Sequence, residues 1–366
     1  MPKEAVQVKK RELLVFAGQS NMMGACACAP VYEPLCLDSW EYLHKGVRLG
    51  EERGRFRRAG FPCGEFAYCD LRQAYPNGAA FDTLSDLADY RANSYFVPSM
   101  CNRKAEDSLE TEPFAVYSER SCTPGPALPP YFAHEWEKRG HACAYAHIAK
   151  GAVSILHYFD DQMLADYHAR LRQKDPVHAF PNRTITAMCR GASAYFAQKT
   201  LDFFRDCSDR FATEDLSSRC LIWLQGESDA TMDQMEYQTL LEVFWDKARR
   251  LGFTHFFCLR VGYFGNESIL QVMKAQEQFC REAPDAWMLT RAASLMPFAG
   301  HRSDWFVRET EEAYQNCRDS FAGFANQHIN EKGFRLIASH AAANMERILR
   351  KQEPLLEAES IREMIG

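Results

Sequence analysis

The sequence lacks the features that mark several large classes of protein. It has no block of basic residues, and its 43 Lys and Arg against 49 Asp and Glu give a formal net charge of −6. We therefore expect neither a nucleic acid nor an anionic membrane surface as a partner. The N-terminal region offers only a five-residue apolar run, Leu13 to Ala17, whereas a membrane span needs about 20 apolar residues. We predict no membrane span and no secretory signal, and hence a cytoplasmic protein.

Paired cysteine motifs are also absent. None of the 14 cysteines forms a C-x-x-C pair, and most lie in apolar surroundings, as Cys143, Cys220 and Cys258 do. This setting indicates buried free thiols in a reducing compartment rather than a disulfide framework. Two short pairs, Cys26 with Cys28 and His141 with Cys143, have no second half that would complete a zinc site. We predict no metal and no cofactor.

What the sequence does contain is a repeated alternation of apolar runs and amphipathic stretches. The apolar runs predict five buried strands, at Leu13–Ala17, Ala144–Ala149, Leu221–Leu224, His255–Val261 and Ala286–Thr290. Apolar residues at three- and four-residue intervals predict helices at 192–211, 235–251, 269–280 and 331–349. Strands that alternate with helices favour an open parallel sheet covered by helices on both faces.

The region from about 30 to 130 does not follow this pattern. It is rich in Gly, Pro, Cys and aromatic residues, and its periodicity is poor. We interpret it as a long irregular insertion after the first strand, whose aromatic residues either form a local core or take part in substrate binding. No repeat or linker divides the remainder, so we predict a single domain over 10–350. The tail, 351–366, is predicted to be a short surface helix.

Polar clusters follow three of the predicted strands. The first strand leads into Gly18-Gln19-Ser20-Asn21, the second into Lys150-Gly151-Ala152, and the third into Gln225-Gly226-Glu227-Ser228-Asp229. The carboxyl ends of parallel strands are where such sheets bind ligands. His328 lies just before the last predicted helix. A serine hydroxyl needs an adjacent base, for which a neutral imidazole is suited, so Ser20 and His328 are candidates for acyl-transfer chemistry.

Three of these segments resemble one known family. LLVFAGQSNMMG around Ser20, AYAHIAKGAVSI around Gly151 and WLQGESDA around Gln225 resemble the conserved blocks of the sialate O-acetylesterase-like branch of the SGNH hydrolases. That branch also holds the family 6 carbohydrate esterases. The resemblance implies a three-layer α/β/α flavodoxin-like fold with a five-stranded parallel sheet, no metal, and removal of O-acetyl groups from sugars.

The resemblance also implies roles for individual residues. Ser20 would be the nucleophile and His328 the general base, and the oxyanion would be held by Ser20 N–H, Gly151 N–H and the side-chain amide of Gln225. In the family, Glu227 and Asp229 would pin the neighbouring loops by hydrogen bonds. Apart from the resemblance, we predict substrate contacts from nearby polar residues, namely Gln19, Asn21, Glu227 and His157.

One position departs from the family pattern. Many members carry an aspartate two or three residues before the histidine, where it orients the ring, whereas this chain has Asn326 and Ala325. Three groups could orient His328 instead. The Asn326 side chain could accept its ring N–H, a main-chain carbonyl near residue 326 could do so, or a remote acid such as Asp304 could reach the ring.

The expected function is that of a carbohydrate O-acetylesterase that acts on acetylated oligosaccharides, such as xylan or mannan fragments, through an acyl-enzyme on Ser20. A sialate O-acetylesterase is the alternative within the family. A catalytically inactive carbohydrate-binding protein on the same scaffold is the alternative of another class. A glycosidase built on Glu227 and Asp229 has no support, because residues two apart do not present opposed carboxylates. The sequence gives no indication of oligomeric state.

Overall fold

The fold was analysed in a computed structural model, which describes residues 11–23, 35–42, 56–60, 128–149, 153–183, 216–262, 267–296, 329 and 331–356. Within these residues, seven strands form one sheet in the order β3-β2-β4-β1-β5-β6-β7. They are β1 (Arg11–Gly18), β2 (Leu35–Tyr42), β3 (Phe56–Gly60), β4 (Cys143–Ala149), β5 (Leu216–Leu224), β6 (His255–Leu259) and β7 (Ala286–Thr290).

The five predicted strands are confirmed as β1, β4, β5, β6 and β7, and all of their pairings are parallel. The structure adds two strands that come from the region predicted to be irregular. β2 runs parallel to β4 and pairs with it, and β3 runs antiparallel to β2. Both extend one edge of the sheet. Their sequences, LCLDSWEY and FRRAG, mix polar with apolar residues, so they lack the continuous apolar run that identifies a strand buried on both faces.

Seven α-helices lie in the described part of the chain. They are α1 (Ser20–Met23), α2 (Leu128–Lys138), α3 (Asp161–Lys174), α4 (Gln234–Arg250), α5 (Ile269–Glu282), α6 (Ala292–Leu295) and α7 (Glu331–Leu349). The predicted helices at 235–251, 269–280 and 331–349 correspond to α4, α5 and α7. The helix predicted at 192–211 lies outside the described residues. The tail departs from its prediction, since 351–356 is not helical and the rest of the tail lies outside the described residues.

Local sequence fixes where two of these helices begin. The Asp233 side chain accepts a hydrogen bond from the Glu236 N–H, and the Glu236 side chain accepts one from the Asp233 N–H, which forms a capping box at the start of α4. Asp160 caps α3 by accepting from the Met163 N–H. These side chains satisfy amide groups that have no partner within the helix.

Helices cover both faces of the sheet. Alternate side chains of β1 point to opposite faces, so Leu13 and Val15 pack in one apolar cluster while Leu14 and Phe16 pack in another. The first cluster includes side chains of α3, α4 and α5, and the second includes side chains of α2 and α7. The protein therefore has the expected three-layer α/β/α architecture.

The strand order places a crevice between two particular strands. Counted in chain order among themselves, the five strands predicted from the sequence are arranged 2-1-3-4-5, as in flavodoxin-like proteins. In this order, the chain leaves the first and third strands toward opposite sides, and in sheets of this type the ligand-binding crevice lies between their carboxyl ends. These two strands are β1 and β5, which pair in register from Glu12 with Ser218 to Gly18 with Leu224. We call the carboxyl end of this pair the switch point.

Candidate functional site

At the switch point the backbones of β1 and β5 come unusually close. A Cβ atom added to Gly18 would lie 2.1 Å from the Leu224 carbonyl oxygen and 2.8 Å from the Met22 Cβ. Only glycine fits there. The next residue, Gln19, donates its N–H to the same Leu224 oxygen over 3.3 Å. The loop that carries Ser20 is therefore held directly against the end of β5.

Ser20 is the first residue of α1 and is 6% exposed. It follows Gln19, whose N–H is bonded to Leu224, and so lies at the carboxyl ends of the strands, where the sequence predicted it. Tyr158 holds this loop in place, because its buried hydroxyl donates to the Gly18 carbonyl oxygen over 2.6 Å. Burial raises the pKa of Tyr158 far above its usual range, and its hydrogen bond with Gly18 opposes that rise only in part. Tyr158 is therefore a neutral hydrogen-bond donor.

Gln225, at the end of β5, is fully buried. Its amide nitrogen lies 2.9 Å from the Val153 carbonyl oxygen, 2.6 Å from Asp229 Oδ2 and 3.3 Å from Gln19 Oε1. Its amide oxygen accepts from the Tyr237 hydroxyl over 2.7 Å. An amide nitrogen has two hydrogens, and here three protein acceptors lie within their reach. The predicted oxyanion role of the Gln225 side chain thus finds no support in this geometry, which assigns it to holding loops together.

Asp229 ties the loop after β4 to the loop after β5. Its carboxylate accepts from the Ser154 hydroxyl over 2.5 Å, from the Ile155 N–H over 2.8 Å and from the Gln225 amide. Complete burial raises the pKa of Asp229 to about 6, although these hydrogen bonds act to lower it. Together, Gln225 and Asp229 form the centre of a buried polar network, which we call the switch-point network.

The backbone of Gln225 is held as firmly as its side chain. Its carbonyl oxygen accepts from the Gln276 amide over 2.8 Å and lies 3.0 Å from the Tyr237 hydroxyl. Gly226 follows with φ 151°, and a Cβ there would lie 2.7 Å from Val272 Cγ1. The turn after β5 is therefore clamped between α4 and α5, and this position requires glycine.

Asn21 connects three loops. Its side-chain nitrogen donates to Glu227 Oε1 over 2.7 Å, and its side-chain oxygen accepts the N–H of Ile329 over 3.0 Å. Asn21 follows Ser20 in the chain, Glu227 belongs to the loop after β5, and Ile329 directly precedes the segment that leads into α7. The residue after Ser20 is thus bonded to the residue that follows His328 in the sequence.

The structure brings together six of the predicted site residues at the switch point, namely Gln19, Ser20, Asn21, His157, Gln225 and Glu227. Gly151, Asn326 and His328 lie outside the described residues, and so does Asp304. All four residues predicted to contact substrate have protein partners. Gln19 lies within hydrogen-bonding reach of the Gln225 amide, Asn21 bridges Glu227 and Ile329, and the His157 ring lies 3.1 Å from the Ser154 carbonyl oxygen.

Sequence reasoning missed several residues of the switch-point network. Ser154, Tyr237 and Gln276 were not predicted to belong to the site. Tyr237 and Gln276 lie on helices, and no local motif distinguishes them from other polar helical residues. Ser154 lies three residues after Gly151, so its position in the second block was the one available signal.

A second polar cluster lies at the carboxyl ends of β6 and β7, beside a cavity of about 480 Å³. Arg260 donates to Glu277 over 2.9 Å, and Arg291 forms a two-pronged contact of 2.7 Å with each oxygen of the same carboxylate. Burial alone would raise the pKa of Glu277, but its hydrogen bonds and ion pairs with Arg291 and Arg260 outweigh burial and lower it. These ion pairs give the second polar cluster a structural role in the fold.

The residues that the structure describes contain no group of three His, Cys, Asp or Glu side chains placed to hold a metal ion. Across the described helices, none is both long and apolar enough to cross a bilayer.

Comparisons with known proteins add a distant structural likeness. No family model matches the chain, and a comparison with curated proteins finds no match either. Among solved structures, the X-ray structure of a protein from Arabidopsis thaliana is similar over 92% of this chain and 98% of that one, with 13% sequence identity and a TM-score of 0.45.

Proposed function

We propose that this protein is a serine esterase that removes acetyl groups from carbohydrates, with Ser20 as nucleophile and His328 as general base. The hydrogen bond between Asn21 and the Ile329 N–H carries the proposal. That N–H belongs to the peptide bond that joins His328 to Ile329. The bond therefore links the loop of Ser20 to the residue that follows His328 in the sequence, which supports pairing Ser20 and His328 in one site. A serine hydroxyl with an imidazole base is the pair that acyl transfer needs.

The position of Ser20 supports the same chemistry. It lies at the switch point, where a crevice in this type of sheet binds ligands, and its loop is held by Gln19 and Tyr158. A nucleophile must be fixed to within a fraction of an ångström for efficient attack. The hydrogen bonds that converge on Gly18, Gln19 and Asn21 supply such rigidity on both sides of Ser20.

In the proposed reaction, the Ser20 Oγ attacks the acetyl carbonyl carbon while the His328 ring takes the hydroxyl proton. The tetrahedral intermediate expels the sugar hydroxyl, which receives that proton from His328, and an acetyl-enzyme remains. Water, deprotonated by His328, then attacks the acetyl group and releases acetate. The backbone N–H groups of Ser20 and Gly151 are the proposed oxyanion donors. Gln225 contributes by fixing the loops that carry them.

The carbohydrate part of the proposal depends on the family resemblance of the three sequence blocks. Acetylated oligosaccharides are the proposed substrates. What orients the His328 ring, whether Asn326, a main-chain carbonyl or Asp304, stays open, and the cytoplasmic location stays a prediction from the sequence.

The proposal is tested by hydrolysis of an aryl acetate. We expect Ser20→Ala to lower kcat more than about a thousandfold, because the attacking oxygen is removed, and His328→Ala to do so to a similar extent. Ser228→Ala is the matched control, since Ser228 lies in the neighbouring loop and is exposed, and it should keep its activity. A fluorophosphonate probe should label the wild-type protein at Ser20.

Retained hydrolysis in Ser20→Ala, or labelling at another serine, would contradict the nucleophile assignment. A panel of acetylated xylan, mannan and sialic acid substrates then tests the carbohydrate part. Sugar binding without any acetate release would favour an inactive binding protein instead.

A further inference from the structure

We infer that Asn21 and Glu227 form a positioning pair that holds Ile329, the residue after His328 in the sequence, against the loop of Ser20. The inference rests on the proposed function and assigns Asn21 a role other than contact with substrate. Asn21 would act through His328, without touching the reacting atoms.

The contacts of Asn21 support this assignment. Asn21 is only 3% exposed, and both ends of its amide are bonded to protein, the nitrogen to Glu227 and the oxygen to the Ile329 N–H. A side chain with this burial and these partners presents little surface to a ligand. The two partners lie 206 and 308 residues away in the sequence, so the amide joins loops that the chain itself does not hold together.

Glu227 determines which way the amide of Asn21 faces. An amide can rotate by 180°, which exchanges its donor and its acceptor. A carboxylate accepts only, so Glu227 requires the nitrogen of Asn21 on its side. The oxygen must then face the Ile329 N–H, where a donor would meet another donor if the amide were reversed. This is therefore the orientation of the Asn21 amide that satisfies both of its partners, the Glu227 acceptor and the Ile329 N–H.

This polarity gives a test with three variants. Asn21→Asp keeps an acceptor for the Ile329 N–H but places two carboxylates side by side, and we expect kcat for aryl acetate to fall about 10- to 100-fold. Glu227→Gln keeps an acceptor for the Asn21 nitrogen, so kcat should fall less than about threefold. When Asn21→Asp and Glu227→Gln are combined, the amide introduced at position 227 can donate to the carboxylate introduced at position 21. The direction of the hydrogen bond is then reversed, and kcat should recover most of the loss.

Three further measurements separate positioning from mere stability. For Asn21→Asp we expect kcat to fall with KM for the aryl acetate unchanged, and fluorophosphonate labelling at Ser20 to slow in parallel. The acid limb of the kcat/KM profile, which reports the essential base of the free enzyme, should move to a higher pH, because an added negative charge favours the protonated imidazole.

Asn344→Asp is the matched control. Asn344 is also buried, and its amide nitrogen donates to the Leu289 and Leu355 carbonyl oxygens. Its replacement should lower the Tm and leave both kcat per labelled active site and the pH profile unchanged.

The outcomes are distinguishable. An active wild type whose Asn21→Asp variant keeps its kcat and pH profile, or whose double variant does not recover, overturns the positioning pair and leaves the proposed function standing. A wild type without hydrolysis dependent on Ser20 overturns both.

Discussion

Two carboxylates near the carboxyl ends of the strands are stabilised in opposite ways. At the switch point, Asp229 is bonded to the Ser154 hydroxyl, the Ile155 N–H and the Gln225 amide, all uncharged groups, and burial raises its pKa to about 6. Beside β6 and β7, Glu277 is paired with two arginines, which overcome the effect of burial and lower its pKa. The candidate site is thus organised by directional hydrogen bonds from neutral groups, and its neighbour by ion pairs.

This difference matters for the proposed esterase, whose site would have to stabilise charge only during reaction. Neutral donors fix geometry without a strong permanent field, whereas an arginine near Ser20 would attract anions and shift the pKa of a nearby base. The cost is that a carboxylate without a bonded cation is less stable when ionised. The comparison can be tested with substitutions that act on one cluster and leave the other alone.

The largest effect is expected from Gly18→Ala. The added methyl group would lie 2.1 Å from the Leu224 carbonyl oxygen, a backbone atom that cannot move aside without separating β1 from β5. We expect a loss of about 4 kcal/mol or more in the free energy of unfolding, measured by urea denaturation. Gly140→Ala is the control, because a Cβ there meets no atom within 4 Å and only its positive φ is strained, at about 1 kcal/mol. Equal losses in both variants would contradict the close approach at the switch point.

Asp229→Ala is expected to come next. Removing the carboxylate leaves the Ser154 hydroxyl and the Ile155 N–H without their acceptor in a buried place. We expect a loss of about 3 kcal/mol in the free energy of unfolding together with a fall in esterase activity. Arg291→Gln, which weakens the other cluster, should leave esterase activity unchanged. If both variants impaired catalysis equally, the two clusters would not be functionally distinct.

The smallest effect, and the most specific, is on pH dependence. The folded-state pKa of Asp229 is raised from an ordinary 3.8 to about 6, so its contribution to stability is full below pH 4 and is lost as the pH rises through 6. The destabilisation caused by Asp229→Asn should therefore shrink by about 2 kcal/mol between pH 4.5 and pH 7.

Glu277 is expected to behave in the opposite way. Its pKa is lowered, so its contribution is present above its unfolded-state pKa and is lost as the pH falls. The cost of Glu277→Gln should thus be greatest near neutral pH and diminish in acid. Denaturation curves for the wild type and both variants across this range check the two signs, and parallel trends would show that the comparison of the two carboxylates is mistaken.

The sequence predicted those parts of the fold whose pattern is local. β1 and β5 to β7 are buried on both faces and read as apolar runs, and α4, α5 and α7 show a clear helical period. α2 was missed because its first turn contains Pro129 and Pro130, which signal a break although proline is tolerated there. α3 was missed because its buried stripe is narrow, consisting of Met163, Tyr167 and Leu171.

The candidate site likewise has a part that the sequence predicted and a part that it did not. Ligands bind at the carboxyl ends of parallel strands, and this rule correctly brought Ser20, Gln225 and Glu227 together, since it requires only the order of strands. The direction of each side chain was not predictable. Whether Gln225 faces a ligand or the interior depends on Val153, Tyr237 and Asp229, and no spacing in the sequence indicates that Tyr237 would reach it.

The bond between Asn21 and Ile329 also bears on when the site forms. It closes a loop of 308 residues, so Asn21 leaves the ribosome long before Ile329. Loop closure over such a length is slow and is not favoured until the intervening strands have paired. Chains still being synthesised would carry the serine loop without its counterpart, and the hydrolytic capacity proposed for Ser20 would arise only after Ile329 has been made and the two segments have met.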